Sequence, residues 1–302
     1  MTSTDYCLLA TPYMRAYLPS YEMVVPRTLD DALALLREGP GLWRPFAGGT
    51  DLMVLLEAGR LEHRKFFSIR HLKELRGVGE SDGGVRVGAL TTYTDVRRSE
   101  LLSRRYPMLG QAARETGGIA IQNRGTVGGN IANASPAADT PPALLAYGAE
   151  VELVSADGAR RVPYAEFHTG YKQTVMRADE LIAAVVLPGP REGARHFYRK
   201  VGTRRAQAIS KVCFAASAEV EGESLTEVRV ALGSVAPVVL RCRRTEELLR
   251  GRRLDGDLMR AALDEIGREV TPIDDVRSTA RYRTRVAQNL LREFLSGLNS
   301  SQ

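Results

Sequence analysis

Cysteine is scarce in this sequence of 302 residues: Cys7, Cys213 and Cys242 stand far apart, and no C-x-x-C occurs. That excludes a disulfide framework and an iron–sulfur cluster of the chain's own, which normally takes four thiolates. The four histidines, His63, His71, His168 and His196, show no metal-ligand spacing, so no metal site is expected. Aromatic residues make up 6% of the chain. None interleaves with the small basic clusters as a stacking platform would require, so the net charge of +6 is not read as nucleic-acid binding. No apolar run reaches the length of a membrane span and no signal-peptide core is visible, which makes the cytoplasm the expected location. Neither an acid–base dyad nor a nucleophile constellation stands out, so no catalytic side chain is expected.

Two glycine-rich stretches are the informative part of what remains. Thr126-Val127-Gly128-Gly129-Asn130, inside the run from Ile121 to Thr140, has almost no bulk and many short hydroxyls and amides. Upstream, Pro45-Phe46-Ala47-Gly48-Gly49-Thr50-Asp51-Leu52 leads from a short apolar segment into a helical pattern that Gly59 ends. Glycine permits backbone angles and close approaches closed to other residues. Consecutive N–H groups then converge into an anion-binding nest, and neighbouring hydroxyls and amides donate to phosphate or ribityl oxygens. Neither stretch fits G-x-G-x-x-G or the P-loop pattern. One Gly-Gly pair alone reads as a tight turn; two such cradles read as two walls of one pyrophosphate site.

The chain has a two-domain length and an ordinary hydrophobic fraction of 44%. Thr28 caps a helix over 29–37, with Leu29, Ala32, Leu33 and Leu36 on one face. Strands are expected at 43–46 and 66–69, completing a βαβ-type unit up to about residue 76. A strand at 85–89, helices at 92–99 and 101–116, and a short helix at 143–146 follow. Strands come next at 150–155, before the Asp157-Gly158 turn, and at 181–187. Pro188 to Gly193 is the best linker. Beyond it lie strands 194–201, 211–220 and 226–233 and helices near 244–250, 255–269 and 278–297. Residues 1–16 read as a loose tail.

Five ordered blocks resemble one family: the two cradles, Phe167 to Thr174, Arg199 to Ser210, and Asp275 to Arg283. They are similar to motifs of the FAD-binding medium subunit of molybdenum hydroxylases, the xanthine dehydrogenase and carbon monoxide dehydrogenase flavoproteins. The resemblance spans nearly the whole chain, from Tyr17 to Leu298. It implies an α+β fold: a vanillyl-alcohol-oxidase-like (PCMH-type) FAD-binding domain of two subdomains, about 17–76 and 77–190, within residues 1–190. A small antiparallel sheet with a helix bundle over 191–302 would follow.

FAD is the cofactor implied. Pro45 to Leu52 and Thr126 to Asn130 would line its pyrophosphate and ribityl chain. Asp139 aligns with an acid at the polar end of the cofactor, and on the residues alone also reads as a helix cap. Ile182 aligns with an apolar contact that is equally a strand core residue. Lys200 aligns with a basic residue near the isoalloxazine, or is a strand-edge lysine; Arg204 and Arg205 are weaker candidates of that kind. Thr116 stands where xanthine dehydrogenases carry an aromatic, which puts electron delivery to NAD in doubt. Thr50-Asp51 resembles the xanthine dehydrogenase type more than the His-Ser of the carbon monoxide type, and no cysteine-rich insertion is present. The implied partners are a molybdopterin-binding large subunit and a [2Fe–2S] small subunit, in a dimer of heterotrimers, with NAD, a quinone or oxygen as acceptor. A stand-alone FAD oxidase or reductase of related fold is the alternative; its substrate-facing acid and serine are not seen in 194–302. A binding protein that has lost flavin is a third, against which the intact glycines argue.

Overall fold

The computed structural model describes residues 20–204 and 207–299. The tail at 1–16 and Arg205 lie outside that range. The first unit contains β1 (Glu22–Val24), α1 (Leu29–Glu38), β2 (Arg44–Phe46), α2 (Leu52–Glu57) and β3 (Lys65–Ser68). Its strands form a parallel sheet in the order β1-β3-β2. The N-cap Thr28 accepts from the Asp31 N–H at 3.1 Å while the Asp31 carboxylate accepts from the Thr28 N–H at 3.0 Å. This reciprocal capping box fixes the start of α1. Leu33 and Leu36 of α1 then pack with Phe67, Leu72 and Leu75. The three-residue β1 has too little alternation to show in the sequence.

A second unit follows with β4 (Val78–Ser81), β5 (Gly84–Gly88), α3 (Tyr93–Arg98), α4 (Glu100–Arg105), α5 (Pro107–Glu115), α6 (Ile119–Gln122), α7 (Val127–Ala132) and α8 (Pro141–Tyr147). It continues through β6 (Glu150–Ser155), β7 (Gly158–Pro163), α9 (Tyr164–Phe167), β8 (His168–Gly170), β9 (Gln173–Thr174) and β10 (Leu181–Leu187). Its antiparallel sheet runs β4-β5-β10-β6-β7. The single helix expected over 101–116 is two helices. Pro107 lacks an N–H and clashes with the preceding turn, so it opens α5 at its first position instead of continuing α4.

The last unit has β11 (Arg195–Val201), β12 (Val212–Glu221), β13 (Ser224–Gly233), β14 (Leu240–Arg241), α10 (Arg243–Leu249), β15 (Arg252–Arg253), α11 (Gly256–Glu269) and α12 (Ala280–Asn299). Strands β11-β12-β13-β14 are antiparallel. One face of this sheet packs on α11 and α12 through Phe214, Val230, Ile266, Leu291 and Phe294. The other face joins the second unit: Cys213, Ala215 and Ala231 share a core with Leu144, Leu145 and Tyr147 of α8. Every residue of α8 is buried, so this short helix is wedged between the second unit and the sheet of the last.

Truncating Leu144 to Ala removes a side chain from the middle of that wedge. A loss of about 2–5 kcal/mol is expected, the range for deleting a buried leucine, read as a lower urea midpoint.

Candidate functional site

Both glycine cradles face one cavity of about 830 Å³ between the three units. The first cradle contributes Pro45, Ala47, Gly48, Gly49, Thr50, Asp51 and Leu52; the second contributes Thr126, Gly128, Gly129 and Asn130; Asp139 and Ile182 complete the set. Three of the expected site residues stand outside that wall. Phe46 packs edge-on against Phe66, Val127 is buried in the core of the second unit, and Lys200 lies behind Asp139.

The cradles touch each other. A Cβ on Gly48 would sit 2.0 Å from the Arg124 carbonyl oxygen, so no side chain fits there. The Arg124 guanidinium donates back to the Gly48 carbonyl at 3.2 Å. On the adjoining side, Asn133 donates from its amide to the Asp51 carboxylate at 3.2 Å, and the Lys172 ammonium donates to Asn133. Gly49 has φ +76, in the left-handed region that glycine enters without penalty. The N–H groups of Gly49, Thr50 and Asp51 meet no acceptor among the described residues. Asp51 occupies the N-cap of α2 without capping it by its side chain.

The second pair of glycines works differently from the sequence expectation. The Gly128 N–H donates to the Ala89 carbonyl at 2.8 Å, and the Gly129 N–H to the Thr126 hydroxyl oxygen at 3.1 Å. Neither amide is left for an anion. Gly128 is needed because a Cβ there would lie 2.6 Å from that of Ala89. The second cradle is therefore a thin wall that lets α7 lie against β5, and the N–H groups without an acceptor are those of the first. Asn130 completes the surface with a buried amide oxygen that has no partner.

Asp139 is not a cap; the N-cap of α8 is Thr140. Its carboxylate accepts from the Lys200 ammonium at 2.7 Å and the Ser210 hydroxyl at 2.6 Å, and Lys200 also donates to the Glu115 carbonyl at 2.8 Å. The Tyr198 hydroxyl donates to the Asp139 carbonyl at 3.1 Å. Burial pushes the Asp139 carboxyl above the usual carboxylate range, against the pull of Lys200 and Ser210. Burial likewise raises the Glu115 carboxyl. Strand β11 and the loop before β12 thus fix Asp139 on the cavity wall through a buried ion pair and the Ser210 hydroxyl.

Several lining residues were not singled out from the sequence. Tyr93, Gly118, Gln207 and Arg277 all reach the cavity. A Cβ on Gly118 would meet the Gln207 amide at 2.8 Å, so the turn before α6 and the loop before β12 meet at the mouth. Arg277 sits in a charge-dense block that pointed to the last unit but not to the cavity. Thr116 lines the cavity, its hydroxyl turned to the Ala112 carbonyl at 2.8 Å. Arg204 donates to the Gln207 carbonyl at 2.6 Å and does not line the cavity.

Residues 19–190 match the family described as the FAD binding domain in molybdopterin dehydrogenase, and residues 196–298 match the CO dehydrogenase flavoprotein C-terminal domain. The xanthine dehydrogenase FAD-binding subunit of Escherichia coli is 33% identical over 273 residues, covering 89% of this chain and 92% of that one. The glyceraldehyde dehydrogenase medium chain of Sulfolobus acidocaldarius is 32% identical, covering 91% and 96%. Among solved structures, carbon monoxide dehydrogenase from Hydrogenophaga pseudoflava matches with a TM-score of 0.88 at 28% identity, over 92% of this chain and 96% of that one.

The buried pair makes a stability prediction. Lys200→Met leaves the Asp139 carboxyl without its cation and is expected to cost about 3–5 kcal/mol, the usual penalty for breaking a buried pair from one side. Adding Asp139→Asn recovers part of it. Thermal unfolding of the two variants checks the order.

Proposed function

The chain belongs to the family of FAD-binding domains of molybdopterin dehydrogenases, and from that premise we propose that it is the electron-transfer subunit of a heterotrimeric molybdenum hydroxylase of the xanthine dehydrogenase kind. It receives electrons from [2Fe–2S] clusters of a small subunit and passes them to NAD, a quinone or oxygen. Substrate oxidation belongs to a molybdopterin-binding large subunit. The relatives support that division: at nearly equal identity, their names carry substrates as unlike as xanthine and glyceraldehyde. The domain boundary is placed at the linker around residue 190. No helix among the described residues is long and apolar enough to cross a membrane, which accords with a cytoplasmic location.

The observation that carries this reading is the nest of unpartnered N–H groups at Gly49, Thr50 and Asp51, set in a cavity large enough for a dinucleotide. FAD, when bound, supplies the redox chemistry. The chain's residues bind and orient it. The nest donates to the diphosphate through N–H groups that have no acceptor among the described residues. Thr126 and Asn130 offer a hydroxyl and an amide to the sugar-alcohol chain. Ile182 supplies apolar contact from β10. Asp139, facing the cavity while tied to Lys200 and Ser210, holds an acceptor for hydroxyl groups and keeps a positive charge close behind it.

Purified protein is expected to carry flavin absorbance at about one FAD per chain, or to gain it on adding FAD. Gly48→Ala forces the two cradles apart and is expected to weaken FAD at least tenfold, about 1.4 kcal/mol, by fluorescence titration. A chain that binds no FAD would overturn the proposal.

A further inference from the structure

The hairpin of β8 and β9 forms a two-stranded sheet of its own, and its tip reaches the cavity through Tyr171. His168 pairs with Thr174 and Gly170 with Gln173. A lone ribbon of two strands is marginal by itself, so side chains must place it. Its base is anchored: Phe167 is fully buried, and its carbonyl accepts from the Val175 N–H at 3.0 Å. The His168 Nε2 lies 2.9 Å from the Ile131 carbonyl of α7. The tip is tied to the same helix, because the Lys172 ammonium donates to the amide oxygen of Asn133, the C-cap of α7. The Asn133 amide nitrogen then donates to the Asp51 carboxylate at 3.2 Å. Three side chains thus run in series from the hairpin tip, over the end of α7, to the N-cap of α2.

The tip is unusual in two respects. Lys172 has φ +58, a left-handed backbone that a residue with a Cβ seldom takes. Glycine or asparagine would enter that region at less cost, but neither carries a cation. Such strain persists where the surroundings impose it, and it gathers at ligand clamps. Tyr171, one residue earlier, lines the cavity and is nevertheless 66% exposed, so the chain's own packing leaves most of its ring uncovered. Burial pulls the Lys172 ammonium below its ordinary range, the Asp51 carboxylate holds it up, and Arg44 adds to the fall. The ammonium is therefore partly dried, and it acts on the one carboxylate that stands beside the unpartnered N–H groups of the first cradle.

Resting on the flavoprotein reading above, we propose that Lys172 and Tyr171 retain the cofactor: the chain Lys172–Asn133–Asp51 straps the hairpin to the first unit, Tyr171 closes the cavity at the first cradle, and the strap sets how long FAD stays bound. Asp51 needs such a partner. Its own N–H is one of the three without an acceptor, so its carboxylate stands close to where a diphosphate would sit, and like charges repel. The Asn133 bridge brings a cation to that carboxylate from outside the cradle. A diphosphate in the cradle attracts the same ammonium, so the ligand tightens the strap that covers it. Lys172 acts through Asn133 and is a positioning residue; Tyr171 supplies the cover.

The test is the rate at which the FAD-loaded full chain releases FAD on dilution, read as recovery of flavin fluorescence. Lys172→Met and Tyr171→Ala are each expected to speed release about tenfold, since losses of this kind fall mostly on dissociation. Lys172→Arg keeps the cation and is expected to restore slow release. Added salt should speed release from the parent chain and from Lys172→Arg, and have less effect on Lys172→Met, where the screened ammonium is already gone. Both residues are exposed, so thermal unfolding of the variants without FAD should match the parent. Val220→Ser, on an exposed site of the last unit, is expected to leave release unchanged. Parent-like release in Lys172→Met and Tyr171→Ala, no rescue by Lys172→Arg, or equal speeding in Val220→Ser overturns the strap while the flavoprotein reading stands. A parent chain that takes up no FAD at all overturns that reading, and the strap with it.

Discussion

Residue 48 has room for no side chain, and most of the site follows from that. The backbone of the first unit lies against the Arg124 carbonyl of the second, closer than any Cβ would allow. This contact brings the turn between β2 and α2 to the cavity wall with its next N–H groups unpaired among the described residues. The first N–H groups of a helix have no partner within it, so a run of three without an acceptor on the cavity wall leaves a demand for one. A negatively charged, multidentate oxygen ligand answers it with the least rearrangement.

The paired glycines at 48–49 and 128–129 look alike in sequence and do different work. At 49 glycine permits a positive φ; at 128 the missing Cβ lets a helix lie on a strand, with the amides satisfied inside the protein. Nothing local distinguishes the two, because the acceptor for Gly128 is the Ala89 carbonyl, nearly forty residues away. The element pattern was far more legible. Capping residues such as Thr28, the alternation at 150–155 and the apolar run at 181–187 are local signals, and each became the expected element. Pro107 was also visible, but its effect depends on whether it begins a helix or interrupts one, and here it begins one.

Least legible were the residues that the last unit sends back to the cavity. Gln207, Ile209 and Arg277 belong to loops whose direction is set by β11, β12 and the buried Arg283, none of which announces a destination. Lys200 shows the same limit. Its alignment pointed toward the cofactor, while its ammonium is held by Asp139 and the Glu115 carbonyl, so its charge acts on the cavity through a carboxylate already engaged. The last unit is thus part of the site: through Lys200, Ser210 and Tyr198 it fixes the segment that carries Asp139.

The central claim is that the unpaired amides at 49–51 recognise a diphosphate. Comparing the affinities of FAD, FMN and riboflavin for the purified chain tests it most directly, since the three share a ring system and differ in phosphate content. The account predicts that FAD binds tightest and riboflavin weakest, with each step of at least an order of magnitude. Riboflavin binding as tightly as FAD would contradict it.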